Sequence, residues 1–403
     1  MEGATLHGGE RTVGLRHHAA VLTAMLGLGL AATACSSNST TSATTTPKTT
    51  ATANPAATAK PVTPFLSQLH AAAQIGSTVP AKGDVNPYGV AVVPSSAGRL
   101  TAGDVLVSNF NDKANVQGTG STIVQVSPGG KTTLFADVAE LPPGMSCPGG
   151  VGLTTALGIL PGGWVIVGSL PTTAGGALPG LDPAGCLIVL NDQGLVTETI
   201  TNKDIAGPWD LTLTSTATSA QVFVSNALGG NTSTHDGTPV TGNCTVVRLD
   251  LALSPTAPPA LASATVVGSG YPWKADKAAL VLAPTGLALG HDGTLYVADT
   301  QTNTITAIPQ ALTRTSAEPA TSGLVSAGGA LNAPLGMTLA PNGDLVVVNG
   351  NNGNAVEITP TGRQLTTRML VKNGAGDLFG IITTPQGILA VNDGTNALDL
   401  FRS

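Results

Sequence analysis

Pro334-Leu335-Gly336-Met337-Thr338-Leu339-Ala340-Pro341-Asn342-Gly343-Asp344-Leu345-Val346-Val347-Val348-Asn349 reads as two apolar runs facing each other across a turn. Asn-Gly between such runs is a strong hairpin signal, because its Gly tolerates the positive φ that a tight turn demands. The second run stops at a short polar residue. The same arrangement runs from Pro284-Thr285-Gly286, through His291-Asp292-Gly293, to Val297-Ala298-Asp299. It runs again from Leu378-Phe379-Gly380, through Pro385-Gln386-Gly387, to Val391-Asn392-Asp393. In all three, thirteen positions separate the first Gly from the terminal Asn or Asp.

Three looser copies lie upstream: Pro87-Tyr88-Gly89 to Val107-Ser108-Asn109, Thr154-Thr155-Ala156 to Val167-Gly168-Ser169, and Pro208-Trp209-Asp210 to Val224-Ser225-Asn226. Each copy is followed by further strand-like runs. Third strands are expected at Thr122 to Val126, Cys186 to Leu190, Thr245 to Leu249, Thr304 to Ile308, Ala355 to Ile358 and Ala397 to Phe401. Six hairpins in one register predict an all-β, six-bladed propeller. The last copy stops one strand short of four, so the segment from about Leu69 to Val79 is expected to close the ring beside Ala397 to Phe401. Such closure removes two sheet edges.

Composition agrees with this reading. Charged residues make up 10% and aromatics 3%, while Gly (51) and Pro (28) abound, which favours short strands and turns over helices. The net charge of −6 offers no basic footprint, so nucleic acid is not an expected partner.

Pro284 to Asn303, with Gly-Leu-Ala-Leu, a Gly turn and Leu-Tyr-Val-Ala-Asp-Thr-x-x-Asn, resembles an NHL repeat. The resemblance spans about 86 to 401, and related propellers include gluconolactonase-like hydrolases. At the N-terminus, Arg11 and Arg16 precede an apolar run from Ala19 to Leu30 and small residues before Cys35. That run is short for a membrane span and has signal-peptide flanks. Small residues before a Cys are similar to the bacterial lipobox, which implies an exported chain lipidated on Cys35 and held at the cell envelope. The other reading is a plain secretory signal, with Cys35 a passenger. The expected divisions are a signal over 1–34, a Ser/Thr/Ala/Pro-rich tether over 35–64, and the propeller over 65–403. The tether has too little apolar surface to offset its ordering entropy.

Aligned copies define two rings of positions. The first, on the innermost strands, is Gly89, Ala156, Asp210, Gly286, Gly336 and Gly380. Crowding at the axis favours tiny side chains there. Asp210 breaks the rule, and a carboxylate in such a place needs hydrogen bonds or a cation. The second ring, ending the second strands, is Asn109, Ser169, Asn226, Asp299, Asn349 and Asp393. These short polar residues suit turn capping. Alternatively Asp210, Asn226, Asp299 and Asn349 turn inward as oxygen ligands for calcium. Gluconolactonase-like enzymes hold a divalent cation at the axis, but their pattern has Glu at the start of the first blade, where this chain has Asn86-Pro87-Tyr88.

His235, in the loop after Asn226, is the candidate general base; the bland alternative is surface decoration. The sequence has no Gly-x-Ser-x-Gly elbow, no His-Glu-x-x-His and no phosphate loop. Of Cys147, Cys186 and Cys244 one must be left over if an exported chain pairs its thiols. Cys147 with Cys186 is the expected staple, since both belong to the entry side of the second blade.

Long insertions gather on the face of the second-strand ends: Leu170 to Gly185, Ala227 to Asn243, and the stretch containing Tyr271-Pro272-Trp273-Lys274. Loops on a rigid scaffold are a usual place for recognition. Trp209, Trp273, Tyr271 and Tyr88 are the candidate aromatic contacts there, and Trp164 reads as packing. Two functions follow. One is a non-catalytic, lipid-anchored binding module, expected as a monomer, that holds a protein, glycan or small molecule on its looped face. The other is a calcium-dependent lactonase or esterase-like hydrolase.

Overall fold

The computed structural model describes residues 63–70, 72–178, 184–229, 240–276 and 279–403. Cys35 and His235 lie outside the described residues, as do the expected signal over 1–34 and all but the last two residues of the expected tether over 35–64. From residue 61 onward the chain forms one compact unit, and it is an all-β, six-bladed propeller.

Each blade is a meander of antiparallel strands ordered from the axis outward. Blade 5 shows the pattern. Its strands Pro334–Leu339, Leu345–Asn349, Asn354–Ile358 and Gln364–Met369 pair in sequence order. The Asn342-Gly343 turn joins the first two, with Gly343 at φ 84°. Leu345 through Asn349 are all buried. A second strand covered on both faces by neighbouring blades needs apolar residues at every position rather than at alternate ones.

Blade 3 departs from the pattern. Its outer strands, Val240–Ala252 and Ala260–Asp276, are far longer than the rest. The stretch around Tyr271 and Trp273, expected as a loop, is the end of the second of these strands. There Trp273 pairs with Val240, and Lys274 to Asp276 pair with Leu280–Leu282.

Ring closure follows the expected route. Ala72–Ser77 runs antiparallel to Ala397–Arg402, with Ala72 opposite Phe401 and Ser77 opposite Ala397. The strand makes the fourth of blade 6, after Leu378–Thr384 and Gly387–Asn392. Just before it, the short 3-10 turn Phe65–Gln68 is pinned by the fully buried Glu357. The Glu357 carboxylate accepts the backbone N–H of Phe65 and of Leu66, each at 2.8 Å, and the Asn342 side-chain amide at 3.1 Å. Because Asn342 lies in the first hairpin turn of blade 5, the chain enters the propeller on the face of those turns.

At the axis the innermost strands touch backbone to backbone. A Cβ built on Gly336 would lie 2.2 Å from the Phe379 carbonyl oxygen, and one on Gly380 would lie 2.0 Å from that of Tyr88. Gly286 and Gly89 meet the carbonyls of Leu335 and Thr155 in the same way. Each ring glycine therefore packs against the residue just before the ring position of the next blade. Two serines strengthen the contact. Ser108 Oγ accepts the Gly89 N–H at 3.0 Å. Ser225 Oγ accepts the Asp210 N–H at 3.1 Å and donates to the Thr285 carbonyl of blade 4 at 2.7 Å.

Candidate functional site

The ring of small residues bounds an axial channel of about 450 Å³. Its walls run from the ring toward the first hairpin turns: Val90 and Val92, Leu213, Leu289, Leu339 and Ile382. The channel therefore opens on the hairpin-turn face, opposite the long insertions. Lining side chains are mostly apolar, with Tyr88, Thr212 and Thr338 carrying hydroxyls and Asp210 as the single carboxylate among them.

On its other side the channel is sealed. The hydroxyl of Tyr88, in blade 1, accepts the Trp209 indole N–H of blade 3 at 2.9 Å. The Tyr88 ring lies 5.8 Å from that of Trp209, edge-on, and 5.5 Å from Phe379 of blade 6. Phe110 meets Phe379 edge to face at 6.1 Å. Aromatic pairs at these separations add attraction beyond area burial, so the plug ties three blades together.

This geometry corrects the aromatic assignments. Tyr88, Trp209 and Trp273 are 1%, 4% and 0% exposed, so none presents a contact surface on the looped face. Trp273 donates its indole N–H to the Gly229 carbonyl at 2.8 Å, and Tyr271 shares a hydrogen bond with Thr306. All four belong to one hydrophobic cluster.

The oxygens proposed for calcium do not meet. Asn226 accepts the Ala206 N–H with Oδ1 and donates to the Asp204 carbonyl and Thr245 hydroxyl. Asn349 likewise accepts from Asn332 N–H and donates to the Ala330 carbonyl. Asp299 Oδ1 accepts the N–H groups of Gln301 and Thr302. Burial pushes the Asp299 carboxyl up to about 6. Asp299 thus caps the turn after its strand, whereas Asn226 and Asn349 tie down the loop that enters their own blade, so all three are committed to local structure. Only Asp210 lines the channel. A calcium ion needs six to eight oxygens, and one carboxylate among apolar walls does not provide them. Among the described residues no group of three His, Cys, Asp or Glu converges.

The second ring also needs one amendment. Leu378 of blade 6 pairs with Asn392, as Pro334 of blade 5 pairs with Asn349. The last hairpin is one residue shorter, so Asn392 holds the position that equal spacing gave to Asp393.

Asp210 sits at the inner end of the channel, partly exposed to it. Oδ1 accepts the Leu211 N–H at 2.8 Å, and the Leu287 N–H adds a second backbone hydrogen bond. Burial outweighs both and pushes the carboxyl up to about 7. The same burial, with the Asp210 charge beside it, raises the Tyr88 phenol. Since the folded value exceeds the unfolded one, the folded chain holds an extra proton between about pH 4 and pH 7. This contribution is greatest at low pH and is lost as pH rises through 7. Asp210→Asn is therefore expected to be more stable than the wild type at pH 8, with the gap closing by pH 5. Urea midpoints of both proteins at the two pH values check this; a gap independent of pH would contradict it.

Cys147 and Cys186 are joined by a disulfide with Cα atoms 5.2 Å apart. Ser108, Ser225 and Glu357 were not singled out from sequence. Glu357 did carry a signal, as the lone acid among the apolar residues of a third strand.

No family model matches the chain, and no curated protein does. Solved structures do. A catalytically inactive virginiamycin B lyase from Staphylococcus aureus, solved with quinupristin, is similar over 81% of this chain and 83% of its own, at 17% identity and a TM-score of 0.45. A gluconolactonase from Xanthomonas campestris is similar over 82% and 87%, at 13% identity and a TM-score of 0.48. The calcium-binding protein regucalcin from Agrobacterium tumefaciens is similar over 81% and 92%, at 11% identity and a TM-score of 0.45. At these identities the likeness concerns fold alone.

Proposed function

We propose that the protein is an exported, lipid-anchored propeller that acts as a non-catalytic binding module, and that it takes a small molecule into its axial channel. The carrying observation is the channel itself. Its volume of about 450 Å³ falls in the usual range of small-molecule sites, and apolar walls with a few placed polar groups are the usual lining. The looped face supports the reading less well, because its candidate aromatic anchors are core. Calcium-dependent hydrolysis also fits less well, because the side-chain oxygens of Asn226, Asp299 and Asn349 are engaged by the backbone of neighbouring loops and turns.

Thr212 follows Asp210 by two positions on the same strand, so the two side chains leave the same side of it. Tryptophan at 212 is expected to fill the channel. A ligand-observed NMR screen of small organic fragments should give binders that Thr212→Trp no longer binds. Binders indifferent to Thr212→Trp would move the site elsewhere. Turnover of lactones or esters that depends on added calcium would overturn the non-catalytic reading.

A further inference from the structure

We propose that the channel selects an organic ammonium ion, with the charged head against Asp210 and an apolar body along the walls. This rests on the channel being the ligand site and names the chemistry that fits it.

The argument begins from what Asp210 lacks. Its carboxylate receives backbone N–H groups from Leu211 and Leu287. It forms no ion pair among the described residues, and no Lys or Arg lines the channel. A carboxylate held away from water without a cation is costly. The fold nonetheless places one where every other ring position is Gly or Ala. A cationic ligand would supply the missing partner, and in a region of low dielectric the attraction is strong.

The rest of the lining decides what kind of cation. A bare metal ion would find one carboxylate and the hydroxyls of Tyr88, Thr212 and Thr338, of which that of Tyr88 already accepts the Trp209 N–H, too few side-chain oxygens to replace its hydration shell. An ammonium group needs only a few acceptors. Its hydrocarbon body would cover the valine, leucine and isoleucine walls, which contribute about 25 cal/mol for each Å² of apolar area removed from water. An anionic ligand would meet Asp210 with like charge.

Titration calorimetry of the full-length protein at pH 8 tests this with two probes of similar size, n-hexylammonium and n-hexanol. Hexylammonium is expected to bind at least tenfold more tightly than hexanol. Asp210→Asn, close in shape, should erase that preference while keeping hexanol binding. In the wild type, hexylammonium affinity should also fall on going to pH 5, because the carboxyl must then lose a proton to pair, whereas hexanol affinity should hold. Equal binding of the two probes by the wild type, with both lost in Thr212→Trp, would overturn the ammonium assignment and leave the channel as the site. Binding of neither probe, or binding that Thr212→Trp leaves intact, would overturn the channel reading and this one with it.

Discussion

Gly336→Ala should lower the unfolding free energy by about 3 kcal/mol, the upper end of what one added methyl costs in a packed interior. The added carbon would lie 2.2 Å from the Phe379 carbonyl oxygen, 3.0 Å from the Gly380 Cα and 3.1 Å from the Ile381 nitrogen. All three are backbone atoms of the next blade. No side chain can rotate aside, so the innermost strand of blade 6 must move. That strand's own ring glycine presses on the Tyr88 carbonyl of blade 1, so a shift passes around the ring rather than stopping at one interface. Gly343→Ala is the control. Gly343 has positive φ but nothing within 4 Å of an added Cβ, so its cost is backbone strain of about 1 kcal/mol. Urea unfolding of both variants should separate them clearly. A Gly336→Ala midpoint at or above that of Gly343→Ala would remove the steric account of the axis.

Loss of the Cys147–Cys186 bond is expected to cost about as much by a different route. The two residues are 39 positions apart, and a cross-link closing a loop of that length removes unfolded-state entropy equivalent to about 4 kcal/mol. Cys186 opens the third strand of blade 2, whereas Cys147 lies in the loop that enters the blade. Both side chains are buried in the cluster between blades 1 and 2. Cys186→Ala should lower the urea midpoint steeply, and a reducing agent should lower that of the wild type but leave the variant unchanged. An unfolding free energy in the variant within about 0.5 kcal/mol of that of the oxidised wild type, the range of ordinary surface changes, would show that the loop is held by its packing alone.

How much of this was legible follows from where the constraints are local. The Asn342-Gly343 turn and its relatives fix hairpin register through backbone conformation, so six blades could be counted from the sequence. The closing strand could be placed because blade 6 lacked one. Asp210 stood out because its ring equivalents are Gly or Ala. Other features depend on contacts between distant residues. Tyr88 and Trp209 are 121 positions apart, and neither neighbourhood reveals that they plug one end of the axis. Once that end is sealed the channel can open only on the other, a choice that the alternation along single strands does not carry. Tyr271 and Trp273 resembled loop residues because Gly270 and Pro272 interrupt the run, yet pairing with Val240 and Leu282 extends the strand past both. Asp393 for Asn392 was a spacing error, caused by one residue fewer in the last hairpin.

The closing strand also sets an order of events. Ala72 and its partner Phe401 are 329 positions apart. At 5–20 residues per second, synthesis separates them by roughly 16 to 66 s. During that interval Ala72–Ser77 has no partner and is a bare edge available to other chains. Its sequence, AAQIGS, carries one large apolar side chain in six residues, which gives a stray partner little to hold. The first strand of the sheet to be made therefore offers little apolar surface, and it can wait for the last.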